Sequence, residues 1–304
     1  MTTIYSSSAA LSALREVNSI NRELAASAER IASGRRISTA KDGAAIWAIA
    51  RSLEGDISLA GTMSDQLAVV EATFGAAATG LSTAATALGD LRDQLVLARA
   101  GGADRASIQT QIDGLQYALQ SAATGAKVGN VEILSQSASG SYNPVKTFTI
   151  DVVRGGSGTS VSDFDFDVRG VALVNANADE GILDESRTVN ATTSTVLTLD
   201  VSALTDAAGD IQIIDDFISM VDAALTEIAS AETLVGSAIS RVQSQASLLD
   251  TMTAARQQAL STLVDANLEE EAAQKDALVV RQQLAIEALS IANTNLATIL
   301  RLFE

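Results

Sequence analysis

The sequence predicts a mainly α-helical fold: an elongated antiparallel coiled-coil bundle of helices from both chain ends, with a small central antiparallel β insert. Apolar residues recur at alternating spacings of three and four in five segments near the two ends, the pattern of helices that pack along a seam. Between these segments, residues 136–205 switch to a period of two, which is typical of half-exposed strands. Only 3% of the 304 residues are aromatic although 47% are hydrophobic, and this composition favours helix–helix packing.

The first apolar seam lies near the N-terminus and is narrow. Its aliphatic members are Val17, Ile20, Leu24 and Ile31. At about 100° per residue they fall within roughly 60° of one another around a helix. The helical pattern then breaks at the segment SGRRISTAKDG, which begins at Ser33. We therefore expect a terminal helix and then a connecting segment.

Two more seams follow and predict the N-terminal part of a helical rod. The first has nine consecutive apolar positions, namely Leu67, Val70, Phe74, Ala77, Leu81, Ala84, Leu88, Leu91 and Leu95. A helix from about 62 to 99 would measure roughly 55 Å at 1.5 Å per residue. The segment GGAD at 101–104 ends this helix, and Asp104 is expected to cap the next one. The seam of that next helix comprises Ile108, Ile112, Leu115, Leu119, Ala122 and Ala126.

The centre of the chain is predicted to form a β-rich domain of half-exposed antiparallel strands. Three stretches alternate apolar and polar residues: KTFTIDVV at 146–153, SDFDFDV at 162–168 and STVLTLDV at 194–201. One side of each strand is therefore expected to be apolar. These apolar sides carry Phe148, Ile150 and Val152, then Phe164, Phe166 and Val168, then Leu197, Leu199 and Val201.

Asp163, Asp165 and Asp167 suggest a calcium loop, because acidic residues at alternate positions open the loop of an EF-hand. That loop requires glycine at its sixth position, where this chain has Val168. The phenylalanines between the aspartates suit a strand, so we interpret the aspartates as a solvated strand face. A metalloprotease motif of the HExxH type is absent, since the chain has no histidine.

The C-terminal part of the chain repeats the helical pattern twice. A fourth seam runs from Phe217 to Met252 and predicts the second part of the rod. A fifth seam predicts a terminal helix, with EEE at 269–271 near its start, where acidic residues interact favourably with the helix dipole. The terminal seams would bury little area as an isolated pair in water, so both helices gain by packing against copies of the chain. The fifth seam comprises Leu278, Gln282, Ala285, Leu289, Ala292, Leu296 and Ile299.

Charge and composition exclude several classes of function. The net charge is -17, and clustered lysine and arginine, which nucleic acids and anionic membranes require, are missing. Residues 1–60 hold 7 basic and 6 acidic residues, whereas 136–216 hold 4 and 13. The chain has no cysteine and no histidine, which removes disulfides, thiolate chemistry, Cys-ligated zinc and the commonest general base. Since a nucleophile–base pair and a phosphate loop are missing too, we predict no catalytic site, cofactor or metal, and no enzyme.

The sequence also carries few targeting signals. Its start, MTTIYSSSAALSALREV, lacks the basic region and the continuous apolar core of a cleavable signal peptide. No run of 18 apolar residues occurs, so we predict no membrane insertion. The tripeptide NAT at 190–192 matches an N-glycosylation acceptor, a pattern short enough to occur by chance.

Both ends of the chain resemble the flagellin family. The stretch NRELAASAERIASGRRISTAKDGAAIWAIARSLEGDI at 21–57 is similar to the family's N-terminal signature, and LGDLRDQLVLARAG and IQTQIDGL are similar to its next two helices. The stretches VDAALTEIASAETLVGSAISRVQSQ, TLVDANLEEEAA and ANTNLATILRLF are similar to its C-terminal half. The resemblance covers about 1–135 and 215–304, with the motifs in order at family spacing.

The resemblance implies a structural subunit that self-assembles into the extracellular filament of a bacterial flagellum, for motility. Flagellins are exported unfolded through the flagellar secretion apparatus, without a cleavable signal peptide, and a chaperone holds their C-terminal helix. Their other partners are further copies of themselves, the filament cap and the hook–filament junction proteins. By this resemblance the chain divides into an N-terminal inner-tube helix, a spoke, a first rod part, an outward variable domain, a second rod part and a C-terminal inner-tube helix: 1–33, 34–60, 61–135, 136–214, 215–262 and 263–304.

The resemblance also implies three sets of functional residues. The spoke would use Gly34, Arg35, Arg36, Lys41 and Asp42. The surface that a flagellin-sensing Toll-like receptor contacts maps onto Leu88, Arg92, Asp93 and Gln111, with Gln111 where the family usually has an acidic residue. The subunit interface of the inner tube would lie along the terminal seams, at Val17, Ile20, Leu24, Ile31, Leu289, Leu296 and Ile299.

The spoke departs from the family pattern in two places. Gly43 stands where the family usually has a second aspartate, and Ile46 and Trp47 stand where it usually has glycine. We therefore expect the packing of the spoke to differ in detail. The basic residues of the spoke are either solvated loop charges or partners of carboxylates on a neighbouring subunit.

Two alternative functions stay open at this point. A hook–filament junction protein shares the terminal helices of flagellins, so the helical seams alone do not separate the two. A surface-displayed flagellin homologue could instead bind a ligand through its outward domain, 136–214. The density of the flagellin motifs at both chain ends favours the filament subunit.

Overall fold

The computed structural model describes residues 8–129, 131–136, 145–154, 157–175 and 181–302, and the side chains of 11–129, 131–136, 145–148, 165–175 and 181–291. The short strands of these segments lie between the third and fourth helices. The mainly α fold, with helices from both chain ends and a small central insert, is therefore confirmed. The helices are α1 Ser8–Ser33, α2 Ala40–Ala98, α3 Arg105–Gly125, α4 Ala208–Val264 and α5 Leu268–Leu302.

The chain forms two compact units. Unit 1 consists of residues 1–58 and 252–304, and unit 2 consists of residues 59–251. Helices α2 and α4 each contribute to both units, whereas α1 and α5 belong to unit 1, and α3 and the strands belong to unit 2. Unit 1 is discontinuous in sequence, so it forms only when both chain ends come together.

Unit 2 is built around one apolar core supplied by α2, α3 and α4. All nine predicted seam positions of α2 are buried, and Phe74, Leu81 and Leu88 have no exposed surface. Ile112 and Leu119 of α3 are buried in the same core. The predicted seams of these helices are confirmed as their interface, except at Gln245 and Met252 of α4, which are exposed. Each fully buried aliphatic side chain contributes roughly 1.5–3 kcal/mol. Helix α4 supplies Val221, Ala224, Ile228, Ala231, Val235, Ala238 and Val242.

Helix α2 is unusually apolar along its length. Among the described residues it is the one helix that length and composition alone would allow to cross a membrane. Its nine seam positions from Leu67 to Leu95 are buried in the core of unit 2. The core of unit 2 therefore accounts for the apolar character of α2.

Helix α2 is also longer than the predicted rod helix of 62–99, because it begins at Ala40. Gly43 has φ 170° and ψ 90°, an extended conformation that interrupts the helix near its start. The alanine-rich segment after Gly43 then continues the helix without another break. Most of the segment predicted as a connection, 34–60, is thus helical, and the linker proper spans 34–39.

The turn between α2 and α3 is tied to the start of α4. Asp104 accepts a hydrogen bond from the N–H of Ser107 at 3.3 Å, so its predicted role as the cap of α3 is confirmed. Arg105 is buried and pairs with Asp206 at 2.8 Å. Its Nε also donates to the carbonyl oxygen of Ala98 at 2.9 Å. These contacts join the end of α2 to the segment that precedes α4.

Two of the three predicted strands form the hairpin of β4 Val145–Arg154 and β5 Ser157–Asp167, which are antiparallel. Phe148 and Phe166 lie on its apolar side, and their ring centroids are 5.3 Å and 4.9 Å from that of Phe74 on α2. The predicted alternation is therefore confirmed at Phe148, Phe166 and Val168, whereas the side chains of Ile150, Val152 and Phe164 lie outside the described residues. The remaining short strands are β1 Lys127–Val128 with β2 Val131–Glu132, β7 Arg187–Val189 with β8 Thr192–Ser194, both antiparallel, and the parallel pair β3 Ser135–Gln136 with β6 Val174–Asn175.

The prediction of a third strand, at 194–201, is wrong. The chain there makes a 3₁₀ turn over Val196–Thr198, because the side chains of Thr195 and Thr198 bond to each other's backbone. Two of its carbonyl groups accept hydrogen bonds from α3 rather than from a neighbouring strand. Gln116 donates to the carbonyl oxygens of Val196 and Leu199, each at 3.1 Å.

The β7–β8 hairpin is anchored on α4 at two points. Arg187 forms an ion pair with Glu227. Asn190 Nδ2 and Thr192 Oγ1 donate to the buried carboxylate of Asp216, at 2.6 Å and 3.0 Å. The amide of the NAT acceptor sequence is therefore engaged with α4 in the folded chain.

Candidate functional site

Helices α1 and α5 pack against each other in unit 1. Ile20 is 1% exposed and Leu278 is 3% exposed, so both lie inside the pair. The predicted tube residues Val17, Leu24, Ile31 and Leu289 are half-buried. The side chains of Leu296 and Ile299 lie outside the described residues. The described members of the two terminal seams are thus at least partly covered within a single chain.

A polar contact lies in the middle of this apolar pair. Ser27 Oγ donates to the carbonyl oxygen of Glu271 at 3.2 Å and to its Oε2 at 3.1 Å. Arg30 Nη1 forms an ion pair with Glu271 Oε1 at 3.2 Å. Glu271 lies in the first turn of α5, so the predicted helix start at EEE is confirmed. Its pairing with α1 was missed, although a serine inside an apolar seam is a signal that could have found it.

Further polar contacts show that α1 and α5 run antiparallel. Gln282 Nε2 donates to Asn21 Oδ1 at 2.6 Å, and Arg281 pairs with Glu16 at 3.1 Å. Positions later in α5 thus meet positions earlier in α1. Together with the contact at Glu271, these pairs fix the register of the two helices.

The turns that precede α2 and α5 are hydrogen-bonded to each other. The N–H groups of Arg36 and Ile37 donate to the carbonyl oxygen of Val264 at 2.7 Å and 3.3 Å. The N–H of Ala266 donates to the carbonyl oxygen of Gly34 at 2.9 Å. Gly34 has φ +69°, a left-handed conformation that favours glycine after the end of a helix. We call this arrangement of 34–37 and 264–266 the clasp. It joins the two places at which the chain leaves α1 and enters α5.

An apolar cluster lies beneath the clasp. Ile37, Ala50 and Val264 are buried at its centre. Ile46 and Trp47 pack against it, together with Leu260 and Leu263. The two large residues that depart from the family pattern therefore fill this cluster.

The predicted spoke residues are brought together around the clasp. Arg35 pairs with Glu54 of α2 at 3.0 Å, and Arg36 Nη2 donates to the carbonyl oxygen of Leu263 at 3.1 Å. Both cations therefore have partners within their own chain. Lys41 is exposed and makes no ion pair or hydrogen bond with the residues that the structure describes.

Asp42 holds the end of the linker. It accepts hydrogen bonds from the N–H groups of Thr39 at 2.8 Å and of Ser38 at 3.1 Å, and from both hydroxyl groups. The bonds from Thr39, supported by those from Ser38, hold the pKa of Asp42 below its ordinary value. The linker is thus closed by a carboxylate cap at the start of α2.

One face of α5 is left uncovered by the residues that the structure describes. Val280, Leu284 and Ile291 are 54%, 62% and 59% exposed. They lie two positions after the seam residues Leu278, Gln282 and Leu289, which places them about 200° around the helix from the seam. Ala273 and Ala277 continue this face towards the start of α5, and we call the five residues the outer stripe. Sequence reasoning missed it, although its spacing from Ala273 to Leu284 repeats that of the seam; Glu287 then occupies the position before Ile291.

The residues expected to face a Toll-like receptor do not all reach the surface. Leu88 is fully buried in the core of unit 2. Arg92 is exposed and pairs with Asp222 at 2.7 Å. Asp93 and Gln111 are exposed and line a shallow groove between α2 and α3. A receptor could therefore contact only the last three of these four residues.

The alternating aspartates lie on a strand, as interpreted from the sequence. Asp165 and Asp167 flank the buried Phe166 on β5, and Asp167 pairs with Arg169 at 2.8 Å. The side chain of Asp163 lies outside the described residues. In the described part of the chain, no three acidic side chains come together in a way that could hold a metal ion.

Comparison with known proteins identifies the family. The model of the bacterial flagellin N-terminal helical region matches residues 4–139, and the model of the bacterial flagellin C-terminal helical region matches 218–303. This chain belongs to the bacterial flagellin family. The two matched regions contain α1, α2, α3, α5 and most of α4. They leave most of the central insert unmatched.

Complete flagellins from several bacteria align with the whole chain. Flagellin C of Rhizobium meliloti is 29% identical over 321 residues, and a flagellin of Brucella melitensis is 29% identical over 305 residues; both alignments cover 100% of each chain. Flagellin FljK of Caulobacter vibrioides is 26% identical over 307 residues, which cover 100% of this chain and 99% of the relative.

This flagellin is a structural subunit that polymerises into a bacterial flagellar filament, which is an extracellular appendage. It is not an enzyme. The comparisons favour neither of the alternative functions, the junction protein or the ligand-binding homologue.

Proposed function

We propose that this flagellin polymerises by burying the outer stripe of α5 against neighbouring copies of unit 1, which together form the inner tube of the filament. The supporting observation is the exposure of Val280, Leu284 and Ile291 on a helix whose seam is already filled by α1. Each of these side chains is about half exposed, so burying the remainder contributes roughly 1 kcal/mol per residue. Repeated along a helical array of copies, these contributions favour the polymer.

The seam residues have a different role in this proposal. Val17, Ile20, Leu24 and Ile31 hold α1 against α5, and Leu289 acts from the other side of the pair. They support the tube by presenting the outer stripe, and Leu296 and Ile299 extend the same seam towards the C-terminus. Residues 1–33 and 263–304 would then be the inner-tube helices.

The remaining segments take the places that the family resemblance implies. Residues 61–135 and 215–262 would form the rod layer. Residues 34–60 would be the spoke, of which only 34–39 precedes α2. Residues 136–214 would face outward. Their acidic excess would keep filaments apart by mutual repulsion.

The exposed outer stripe also supports a role for an export chaperone. An unassembled chain carries this apolar face uncovered, and a chaperone that holds the C-terminal helix would shield it. Export through the flagellar secretion apparatus without a cleavable signal peptide, and contacts with the filament cap and the hook–filament junction proteins, are part of the same proposal. A Toll-like receptor would use Arg92, Asp93 and Gln111.

The experiment that tests this proposal is a charge placed in the outer stripe. Leu284→Asp should abolish filaments, as seen by electron microscopy and sedimentation, because a desolvated carboxylate at the subunit contact is costly. The circular dichroism spectrum and unfolding of unit 2 should not change. The matched control is Leu234→Asp, at a residue that is 46% exposed on α4 beside the insert. Filaments of Leu284→Asp that form at the wild-type concentration would contradict the proposal.

A further inference from the structure

Glu54 of α2 lies where the linker meets α2. Its Oε1 accepts a hydrogen bond from Arg35 Nη1 at 3.0 Å, and its Oε2 accepts one from Arg51 Nη1 at 2.8 Å. Arg35 belongs to the linker, whereas Arg51 lies one turn before Glu54 on α2. Both carboxylate oxygens are therefore engaged, and the hydrogen bond from Arg51, followed by that from Arg35, holds the pKa of Glu54 below its ordinary value.

Arg51 is itself placed by Trp47, one turn earlier on α2. The guanidinium carbon of Arg51 lies 5.7 Å from the centroid of the Trp47 ring, within the range of a cation–π contact. A guanidinium group that stacks on an aromatic face keeps its planar fork in a restricted set of directions. Trp47 thus directs Arg51 towards Glu54.

Trp47 also packs against the apolar cluster beneath the clasp, which contains Ile37 and Val264. The N–H of Ile37 donates to the carbonyl oxygen of Val264 in the clasp itself. The contacts therefore form a closed circuit. It runs from the clasp to Trp47, then to Arg51 and Glu54, and returns to the clasp through Arg35.

We propose that Trp47, Arg51 and Glu54 are positioning residues for polymerisation, which hold the linker 34–39 in a single orientation. The clasp joins this linker to the turn before α5. A linker held in one orientation therefore fixes the directions in which both α1 and α5 extend. A helical filament requires the same geometry in every copy, and the circuit supplies it within each chain before copies meet. The inference rests on the proposed role of the α1–α5 pair, but its first test does not require a filament.

The first test measures the linker in the full-length chain in solution. Glu54→Ala and Arg51→Ala should each speed amide hydrogen exchange at Arg36, Ile37 and Ala266 by about three- to tenfold, as expected for loss of partly exposed ion pairs that act together. The matched control is Asp222→Asn, which removes the exposed 2.7 Å ion pair with Arg92 in unit 2. It should leave exchange at these three amides unchanged.

Two further measurements follow the circuit itself. Trp47 is the only tryptophan, so its fluorescence reports this site alone, and Arg51→Ala should shift its emission maximum whereas Asp222→Asn should not. The double variant Arg35→Ala with Glu54→Ala should exchange no faster than Glu54→Ala alone, because both changes break the same contact.

The helical twist of the filament shows whether these residues position the linker for assembly or only stabilise it. Filaments of Glu54→Ala should show an altered or mixed helical twist by electron cryomicroscopy, whereas those of Asp222→Asn should keep the wild-type twist. Unchanged exchange at the three amides in Glu54→Ala and Arg51→Ala would overturn the inference. Faster exchange with an unchanged twist would overturn it too, because the circuit would then only stabilise the linker. A truncated chain that lacked α5 and still polymerised would contradict the proposed function and leave the exchange test intact.

Discussion

Ser27 of α1 and Glu271 of α5 are 244 residues apart in the sequence, and the serine hydroxyl donates to both the carbonyl oxygen and the carboxylate of the glutamate. Both residues are buried, at 2% and 8% exposure. Seams of leucine and alanine allow two helices to pack in several registers, whereas a buried polar contact within the seam favours one. This contact therefore determines which turn of α1 meets which turn of α5.

Glu271→Ala should weaken the terminal pair and shift its register. The change leaves the buried hydroxyl of Ser27 without its carboxylate partner and removes the ion pair of Arg30, at a cost of about 1–3 kcal/mol. Amide hydrogen exchange along α1 should accelerate by about 5- to 150-fold, while exchange in unit 2 stays the same. The control is Glu270→Ala, one residue earlier and exposed. Equal exchange along α1 in the two variants would show that the contact has no role in holding the pair.

Gly80 of α2 lies at a close approach in the core of unit 2. A Cβ at this position would lie 2.6 Å from Ala126 Cβ and 2.6 Å from Leu134 Cδ1. Gly80→Ala should therefore destabilise unit 2 by about 1–3 kcal/mol, although alanine is the better helix former. Gly89→Ala on the same helix, where nothing lies within 4 Å of the added Cβ, should stabilise it by up to about 1 kcal/mol. Thermal unfolding followed by circular dichroism should show melting temperatures that move in opposite directions.

The sequence predicts well those parts of this fold in which side-chain periodicity reflects packing. The seam from Leu67 to Leu95 is buried at every position, because its spacing of three and four matches the turn of the helix. Phe148 and Phe166 face α2 because alternate residues of a strand share a side. Asp104 caps α3 through a local contact that needs no knowledge of the rest of the fold.

Other parts of the fold depend on contacts that produce no periodic pattern in the sequence. The alternation at 194–201 resembled a strand, but the side chains of Thr195 and Thr198 stabilise a turn and Gln116 of α3 binds the carbonyl groups. The clasp consists of backbone hydrogen bonds between distant segments, which any residue with an N–H can make. The outer stripe of α5 was overlooked because the seam gives a regular apolar pattern by itself, whereas the stripe is interrupted by Glu287.

The contact between Asp216 and the β7–β8 hairpin should depend on pH. Burial acts to raise the pKa of Asp216, but the hydrogen bonds from Gln212, Asn190 and Thr192 together hold it below its ordinary value. A carboxyl group whose pKa is lower in the folded than in the unfolded state adds stability above its unfolded pKa, and this stability is lost as the pH falls through the folded pKa. We therefore expect the hairpin to detach from α4 in acid, below about pH 4.

Nuclear magnetic resonance of the Asn190 side-chain amide would detect this detachment as a change in chemical shift during an acid titration. Asp216→Asn should remove the titration of this signal, because the amide that replaces the carboxylate carries no charge to lose. The control is Glu232→Gln, an exposed residue of α4, which should leave the titration of the Asn190 signal unchanged. A titration that survives in Asp216→Asn would assign the effect to another group.

Polymerisation should become faster as salt is added at low ionic strength. Unit 2 carries 9 basic and 24 acidic residues, whereas unit 1 carries 11 basic and 13 acidic residues. Each copy that joins the filament therefore adds a strongly acidic unit 2 to others of the same sign, while the terminal helices add almost no net charge. An increase from about 10 to 150 mM salt shortens the screening length from about 30 to 8 Å, which weakens this repulsion.

Light scattering would follow the lag time at each salt concentration, with sucrose of equal osmolality as the control for solvent exclusion. The double variant Glu232→Gln with Asp250→Asn, which removes two exposed negative charges of α4, should polymerise faster than wild type at 10 mM salt and respond less to added salt. The opposite outcome, slower polymerisation at higher salt, would mean that ion pairs govern the rate. The exposed pair of Arg281 and Glu16 in unit 1 would then be the first to examine, since salt weakens exposed pairs most.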